Sequence, residues 1–242
     1  PNEIKQVEPA LSSDFKAAVL IKGQARARAP GRIAEVLADK ACTQGADFIR
    51  AEITGVRRHN ERWQLDTSNG TIESSKIVLA AGVWSADLLK PLGLEIPLVA
   101  ERGYHVEFAD PGVFINNSVM DVDAKIVASS MLGGIRVAGS AEFGAINAPP
   151  DPRKERLLAD QARAMLPDLN SDDITTWMGR RPSFPDSLPA LGQIKKRPGL
   201  YAAFGHSHYG LMMAPKTGEL IADLIAGITP NVDLSPFEPL RF

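Results

Sequence analysis

The sequence predicts a mixed α/β (α+β) protein in two lobes, one a layered α/β lobe and the other an antiparallel sheet. Three observations carry this. The run Ile77-Val78-Leu79-Ala80-Ala81 is apolar without alternation, as in a strand covered on both faces. From Pro97 to Glu142 the pattern alternates, as in Tyr104-His105-Val106-Glu107-Phe108 and Ile135-Arg136-Val137-Ala138-Gly139, which marks a sheet with one covered face. Leu220, Ile221, Leu224, Ile225 and Ile228 then place an apolar stripe on a closing helix, Gly210 to Gly227.

The remaining elements follow in chain order. Pro30 suits a first helical position and Gly45 the residue past a helix end, with Ile33, Val36, Leu37 and Ala41 on one face between them. Strands are expected over Asp47–Ile53, Trp63–Thr67 and Lys76–Ala81, with Asn69-Gly70 as the hairpin turn between the last two. Asp151-Pro152 opens a helix to Met165 that turns Leu157, Leu158, Ala162 and Met165 inward. Pro182, Pro185 and Pro189 make the next stretch extended and loop-like, and a strand follows over Leu200–Phe204. There is no internal repeat and no low-complexity segment.

Composition narrows the function classes. The 242 residues can form one large domain or two small ones. Lys plus Arg number 27 and Asp plus Glu 29, without a basic block, which argues against nucleic acid as a partner. Cys42 is the one cysteine, so no internal disulfide forms; a reducing compartment is expected, and Cys42 itself reads as a small core residue. No apolar run reaches the length of a membrane span. The opening Pro1 to Lys5 has no signal-peptide pattern and no initiator Met, and reads as a start within a longer protein.

Three segments suggest chemistry. The strand Ile77–Ala81 ends in small residues and Gly82 before a helix, either a plain tight turn or a place where backbone approaches a ligand closely. In Gly179-Arg180-Arg181-Pro182, two arginines precede a Pro-rich loop; they form a surface ion pair or capture a carboxylate, for which the planar fork of arginine is suited. In Phe204-Gly205-His206-Ser207-His208-Tyr209-Gly210-Leu211, a strand runs through a glycine-bracketed turn into a helix whose first N–H groups face an electron-rich ligand edge. The alternating His206 and His208 lack the Cys or carboxylate neighbours that a metal site requires, so no metal is expected.

Taken together and in order, "VLAAGVWSADL", "RGYHVEF", "IRVAGSAEF", "GRRPSFPDSLPALG" and "GHSHYGLMMAPKTGELIADLI" resemble the FAD-dependent D-amino-acid dehydrogenase and glycine oxidase family, DAO-type oxidoreductases. The resemblance covers most of the chain, from Pro30 to Gly227, and the opening "VEPAL" looks like a further family feature. It implies an FAD-binding layered α/β lobe, incomplete here, over residues 30–90 and 182–229. The rest, residues 91–181 with 1–29, would form the substrate-binding antiparallel-sheet lobe. The flavin would be embraced by Ala80, Ala81, Gly82 and Trp84 on one side and Gly205, His206, Gly210 and Leu211 on the other. The arginine of the family's Gly-x-Arg-Pro motif, here Arg181, would hold the substrate carboxylate. The reaction implied is oxidative deamination of an amino acid, a D-amino acid or glycine-like amine, by hydride transfer to the flavin. Positioning would matter more than any side-chain base.

Departures from the family qualify the expectation. The fingerprint Gly-x-Gly-x-x-Gly, which seats a pyrophosphate on a helix N-terminus, is absent, since no two glycines are separated by a single residue. This chain alone is therefore expected to be inactive without an upstream segment. A tyrosine that several relatives carry near Lys125 to Ser130 is missing, and Tyr104 and Tyr209 are the candidate replacements. Cys42 lies far from the Gly179–Asp186 motif, so the FAD should be noncovalent. The competing readings are the same fold oxidising a 2-hydroxy acid or a secondary amine, and a non-catalytic binding module without cofactor. A cytoplasmic protein is expected, at most peripheral to the inner membrane, with self-association and contact to a membrane or an electron acceptor as further expectations.

Overall fold

The computed structural model describes residues 2–242. Its elements are α1 (Asn2–Val7), α2 (Pro30–Thr43), β1 (Ile53–His59), β2 (Arg62–Thr67), β3 (Gly70–Ser74), β4 (Ile77–Leu79), α3 (Ser85–Leu89), β5 (Val99–Phe108), β6 (Val119–Asp121), β7 (Ile126–Met131), β8 (Gly134–Phe143), α4 (Pro152–Met165), β9 (Ile174–Ser183), β10 (Ala190–Gln193), β11 (Leu200–Phe204) and α5 (Gly210–Ala226). Three sheets result, in the orders β1-β2-β3, β10-β11-β4 and β6-β7-β8-β5-β9. The fold is the expected mixture of helices and sheets. The chain divides into two units. One takes the described residues up to Ala46 with Arg102–Glu142 and Asn147–Gly179; the other takes Asp47–Glu101, Phe143–Ile146 and Arg180–Phe242. This division runs within β5 and β9 rather than at Pro91 and Pro182, and it groups α2 with the first unit, not with β4.

In the first unit, alternation along β5, β7 and β8 puts Tyr104, Val106, Phe108, Ile126, Ala128, Ile135 and Val137 into one core with Leu158, Ala162 and Met165 of α4. Asp151 caps α4 by accepting from the Arg153 N–H, and Pro152 fills the first helical position, where no N–H is needed. Leu157 was expected to face inward and is exposed instead. The residue next to Leu158 sits about 100° round the helix, beyond the single face that packs. At the β7–β8 hairpin, Gly134 has φ +127°, and a Cβ there would run into the Phe108 carbonyl, so the turn tolerates only glycine. The helix α2 forms where expected, but none of its residues is buried: Ile33, Val36, Leu37 and Cys42 are all exposed. Cys42 is thus not a core residue, because nothing among the described residues packs on that face.

In the second unit, β1 and β2 join through Asn60-Glu61, both at positive φ as a two-residue hairpin turn requires. Asn69-Gly70 does mark a turn, but it joins β2 to β3, a strand the sequence reading passed over, and not to the run ending at Ala81. No strand covers residues 47–52, where Phe48 and Ile49 are exposed. β4 pairs parallel with β11, with Tyr201 opposite Val78, and β10 pairs antiparallel with β11. Ile77 and Leu79 enter a core with Leu200, Ala202, Phe204, Phe184 and Ile194, whereas Val78 is exposed. β4 is therefore covered on one face, not two; α5 lies chiefly against β10 and β11. β9 runs through Pro182 to Ser183, in a stretch read as loop. β9 is the edge strand of its sheet, the position at which a sheet accommodates proline.

Candidate functional site

Because β4 and β11 are parallel neighbours, their C-terminal ends open on the same edge, the usual place for ligands in layered sheets. After β4 come Ala80, Ala81 and Gly82. Gly82 has φ +57° with open space where a side chain would stand, and a 3₁₀ turn then carries an exposed Trp84. After β11, Gly205 is buried at φ +89°, and any Cβ there would meet the Phe184 ring. His206 Nε2 lies 2.9 Å from Thr217 Oγ1, and burial pushes its imidazole below the usual histidine value. The following helix α5 begins at Gly210 with no side-chain cap. Its first internal bond runs from the Met213 N–H to the Tyr209 carbonyl at 2.9 Å, leaving the N–H groups of Gly210, Leu211 and Met212 without an acceptor among the described residues. Tyr209, Leu211 and Met212 are exposed beside them. Free donors at a helix N-terminus with apolar side chains around them suit a flat, electron-rich heterocycle.

A polar cluster lies in the same unit. Glu101 on β5 has its side chain only 11% exposed, and Arg181, Ser183 and His208 converge on it. Arg181 Nη1 is 3.3 Å and His208 Nε2 2.8 Å from Oε1, and Ser183 Oγ donates to Oε2 at 3.2 Å. Ser183 Oγ is also 2.7 Å from Ser207 Oγ. Ser207, at φ +50°, donates its N–H to the Pro182 carbonyl at 3.0 Å. Arg181 makes no other side-chain hydrogen bond among the described residues and is 33% exposed, so part of its fork is free. Arg180 differs: its Nε donates to the Ile146 carbonyl.

Sequence reasoning had named Arg181 and Tyr209 from this unit but missed Glu101, Ser183 and Ser207. The signal for Glu101 was an acidic residue inside a strand whose neighbours enter a core. His208 had been weighed only as a metal partner of His206, and the two rings turn to different groups. Among the described residues no cluster of His, Cys, Asp or Glu suits a metal ion.

Tyr104 belongs to the first unit, and its role there is different from the expected one. It is 1% exposed. Its hydroxyl donates to Glu142 Oε1 at 2.7 Å and accepts from the Asp151 N–H at 3.0 Å and from Arg102 Nη2 at 3.4 Å. A hydroxyl offers one donor and two acceptor positions, all engaged here, so none remains for a substrate. Burial, with the Glu142 bond, pushes the phenol above its usual value, and that bond holds the Glu142 carboxyl below the usual carboxylate range.

Parallel strands opening onto glycine turns, with a partly exposed arginine in the same unit, define the class of layered-sheet ligand-binding folds. More particularly, the chain belongs to the FAD dependent oxidoreductase (DAO) family, which residues 1–224 match. It is 36% identical to a D-amino-acid oxidase of Bradyrhizobium diazoefficiens over all of this chain and 58% of that protein. It is 33% identical to a glycine oxidase of Pseudomonas aeruginosa over 96% of this chain and 64% of that one. The crystal structure of glycine oxidase from Geobacillus kaustophilus superposes with a TM-score of 0.87 at 27% identity, covering 100% of this chain and 65% of that chain. The chain thus spans 58–64% of the length of these two curated relatives. Among the described residues no helix is long and apolar enough to cross a membrane.

The family's cofactor is FAD. The residues after β4 and β11 fit its ring end: open space at Gly82, three free N–H groups at α5, and the apolar Trp84, Leu211 and Met212. This sequence contains no Gly-x-Gly turn to fit the pyrophosphate.

Proposed function

We propose that this chain holds the substrate, and the ring end of a noncovalent FAD, in an enzyme that oxidises an amino acid, a D-amino acid or glycine-like amine, at its α-carbon. The flavin, when bound, supplies the hydride acceptor. Arg181 binds the substrate carboxylate through the part of its guanidinium that Glu101 leaves free, and so sets the position of the α-carbon. The N–H groups of Gly210, Leu211 and Met212 face the electron-rich edge of the ring, and Trp84, Leu211 and Met212 keep water from it. Ala80, Ala81, Gly82, Gly205 and His206 shape the two turns, and Tyr209 offers a free hydroxyl toward the substrate.

The observation that carries this reading is Arg181 itself: a partly exposed guanidinium, steadied by one carboxylate yet with open donors, in a chain whose relatives are named for amino-acid oxidation. The test is to assay the full-length enzyme against D-amino acids, glycine, sarcosine and 2-hydroxy acids with an artificial acceptor, while following the flavin absorbance. Reduction by D-amino acids or glycine that Arg181→Ala abolishes at low substrate supports the reading. Preference for 2-hydroxy acids or secondary amines would move the substrate class, and absence of any flavin would point to a binding module.

A further inference from the structure

We infer that His208, beside Glu101, accepts the proton that the substrate's α-ammonium must lose before its carbon is oxidised. This rests on the amino-acid reading above. An ammonium has no lone pair to stabilise the electron-poor carbon that loss of a hydride leaves behind, so an amino acid bound as a zwitterion requires a proton acceptor nearby.

The geometry around Glu101 supplies one. Glu101 Oε1 lies 2.8 Å from His208 Nε2, an ion-pair contact that acts on the ring through charge. Nδ1 has no partner among the described residues, and the side chain is 52% exposed. The same oxygen, Oε1, also takes Arg181 Nη1, so the carboxylate-binding group and the proton-accepting group flank a single atom. A substrate whose carboxylate sits on Arg181 has its amine one carbon away, and Arg181 and His208 meet at one carboxylate oxygen.

The loop needs no imidazole to hold it. Ser207 already ties it to Ser183 through the hydroxyl and to Pro182 through the backbone. The groups facing His208 are Glu101 from β5, Arg181 as the second donor on that carboxylate, and Tyr209 beside it in the loop, whose ring centroid is 6.5 Å away. Arg181 and Glu101 offset each other's charge. In the step, one ammonium N–H bond breaks, its electron pair stays on the amine nitrogen, and an Nδ1–H bond forms; the half-exposed ring then returns the proton to water. No oxidant takes part. His206 cannot serve, because its ring is turned to Thr217 and no carboxylate faces it.

The test uses the full-length holoenzyme with His208→Gln, His208→Asn and Glu101→Gln. Steady-state kinetics from neutral to alkaline pH are paired with calorimetric titration of benzoate, a carboxylate without an amine. For both His208 variants the expected result is a loss of roughly 100-fold in kcat/KM at neutral pH, recovering as the pH passes the amine's own pKa, with benzoate affinity unchanged. Glu101→Gln should show a smaller loss, roughly tenfold, with the same alkaline recovery. A loss equal at every pH, or one that takes benzoate binding with it, would show a tether only and overturn the inference. So would near-wild-type kcat/KM at neutral pH in both His208 variants. Failure of the amino-acid reading shows separately, as a wild-type enzyme that oxidises no amino acid.

Discussion

The two units each contain a carboxylate, an arginine and a hydroxyl in contact, and they use them in opposite ways. In the first, the Tyr104 hydroxyl bonds Glu142, Arg102 and the Asp151 N–H, Lys154 pairs with Glu142, and Arg102 adds a bond to the Pro149 carbonyl while its buried Nε has no hydrogen-bond partner among the described residues. The tyrosine there is sealed from water. In the second, Glu101 gathers Arg181, His208 and Ser183, yet Arg181 keeps free donors and His208 an unpartnered Nδ1 at the surface. Residue types alone do not separate a structural knot from a binding site. What separates them is whether unused hydrogen-bonding capacity reaches the surface. A closed network loses stability when a member is removed, and an open one loses function.

The largest expected effect breaks the open network. Arg181→Ala in the full-length enzyme should lower kcat/KM for an amino acid by about 2–5 kcal/mol, mostly through KM, since a bound carboxylate loses its charged partner. Arg181→Lys should also be impaired, because an ammonium cannot reproduce the fork. Arg180→Ala removes one bond to the Ile146 carbonyl and should cost about 1 kcal/mol, in stability rather than KM. Steady-state kinetics of the two alanine variants decide between them; a larger KM effect from Arg180→Ala would reverse the assignment.

How much of this was legible differed with the range of the interactions. Leu200–Phe204 forms the strand its pattern predicts, and α4 and α5 start and end close to their Pro and Gly signals, because strand burial and helix caps are local. The Glu101 cluster was not legible, since it joins residues from β5, β9 and the loop after β11, and nothing local records their meeting. Tyr104 was misjudged although the signal was present: the alternation that put Val106 and Phe108 on the covered face put Tyr104 there too. The end of β9 and all of β10 were hidden behind prolines, whose cost in a sheet depends on edge position, a property of topology and not of sequence.

The closed network should respond in stability. Tyr104→Phe keeps the ring in the core but leaves Glu142 and the Asp151 N–H without their partner. The expected cost is about 1–3 kcal/mol in urea unfolding, the range for stranding buried polar groups. In the full-length enzyme the same variant should leave KM for the amino acid near wild type. A raised KM with unchanged stability would return Tyr104 to the substrate site and erase the contrast between the two networks.

The smallest effect is the pH dependence of that cost, and it sharpens the same contrast. The Tyr104 hydroxyl, with Lys154 and Arg102 adding their charge, holds the Glu142 carboxyl below its ordinary value. A carboxylate whose pKa is lower in the folded state contributes stability that is present above its unfolded pKa, about 4.3 for glutamate, and is lost as pH falls through the folded value. Tyr104 shifts the other way: its folded pKa is raised, so its contribution is present below the unfolded value, about 10, and is lost as pH rises through the folded one. The acid limb depends first on the hydrogen bond between them, and the alkaline limb first on burial of the phenol and then on that same bond. The stability gap between wild type and Tyr104→Phe should therefore be widest at neutral pH and narrow toward acid and toward strong alkali. Urea midpoints at neutral pH, near pH 3 and above pH 11 test it. A gap that stays constant across that range would mean the bond contributes packing and not charge stabilisation, since only the charged carboxylate and the neutral phenol depend on it.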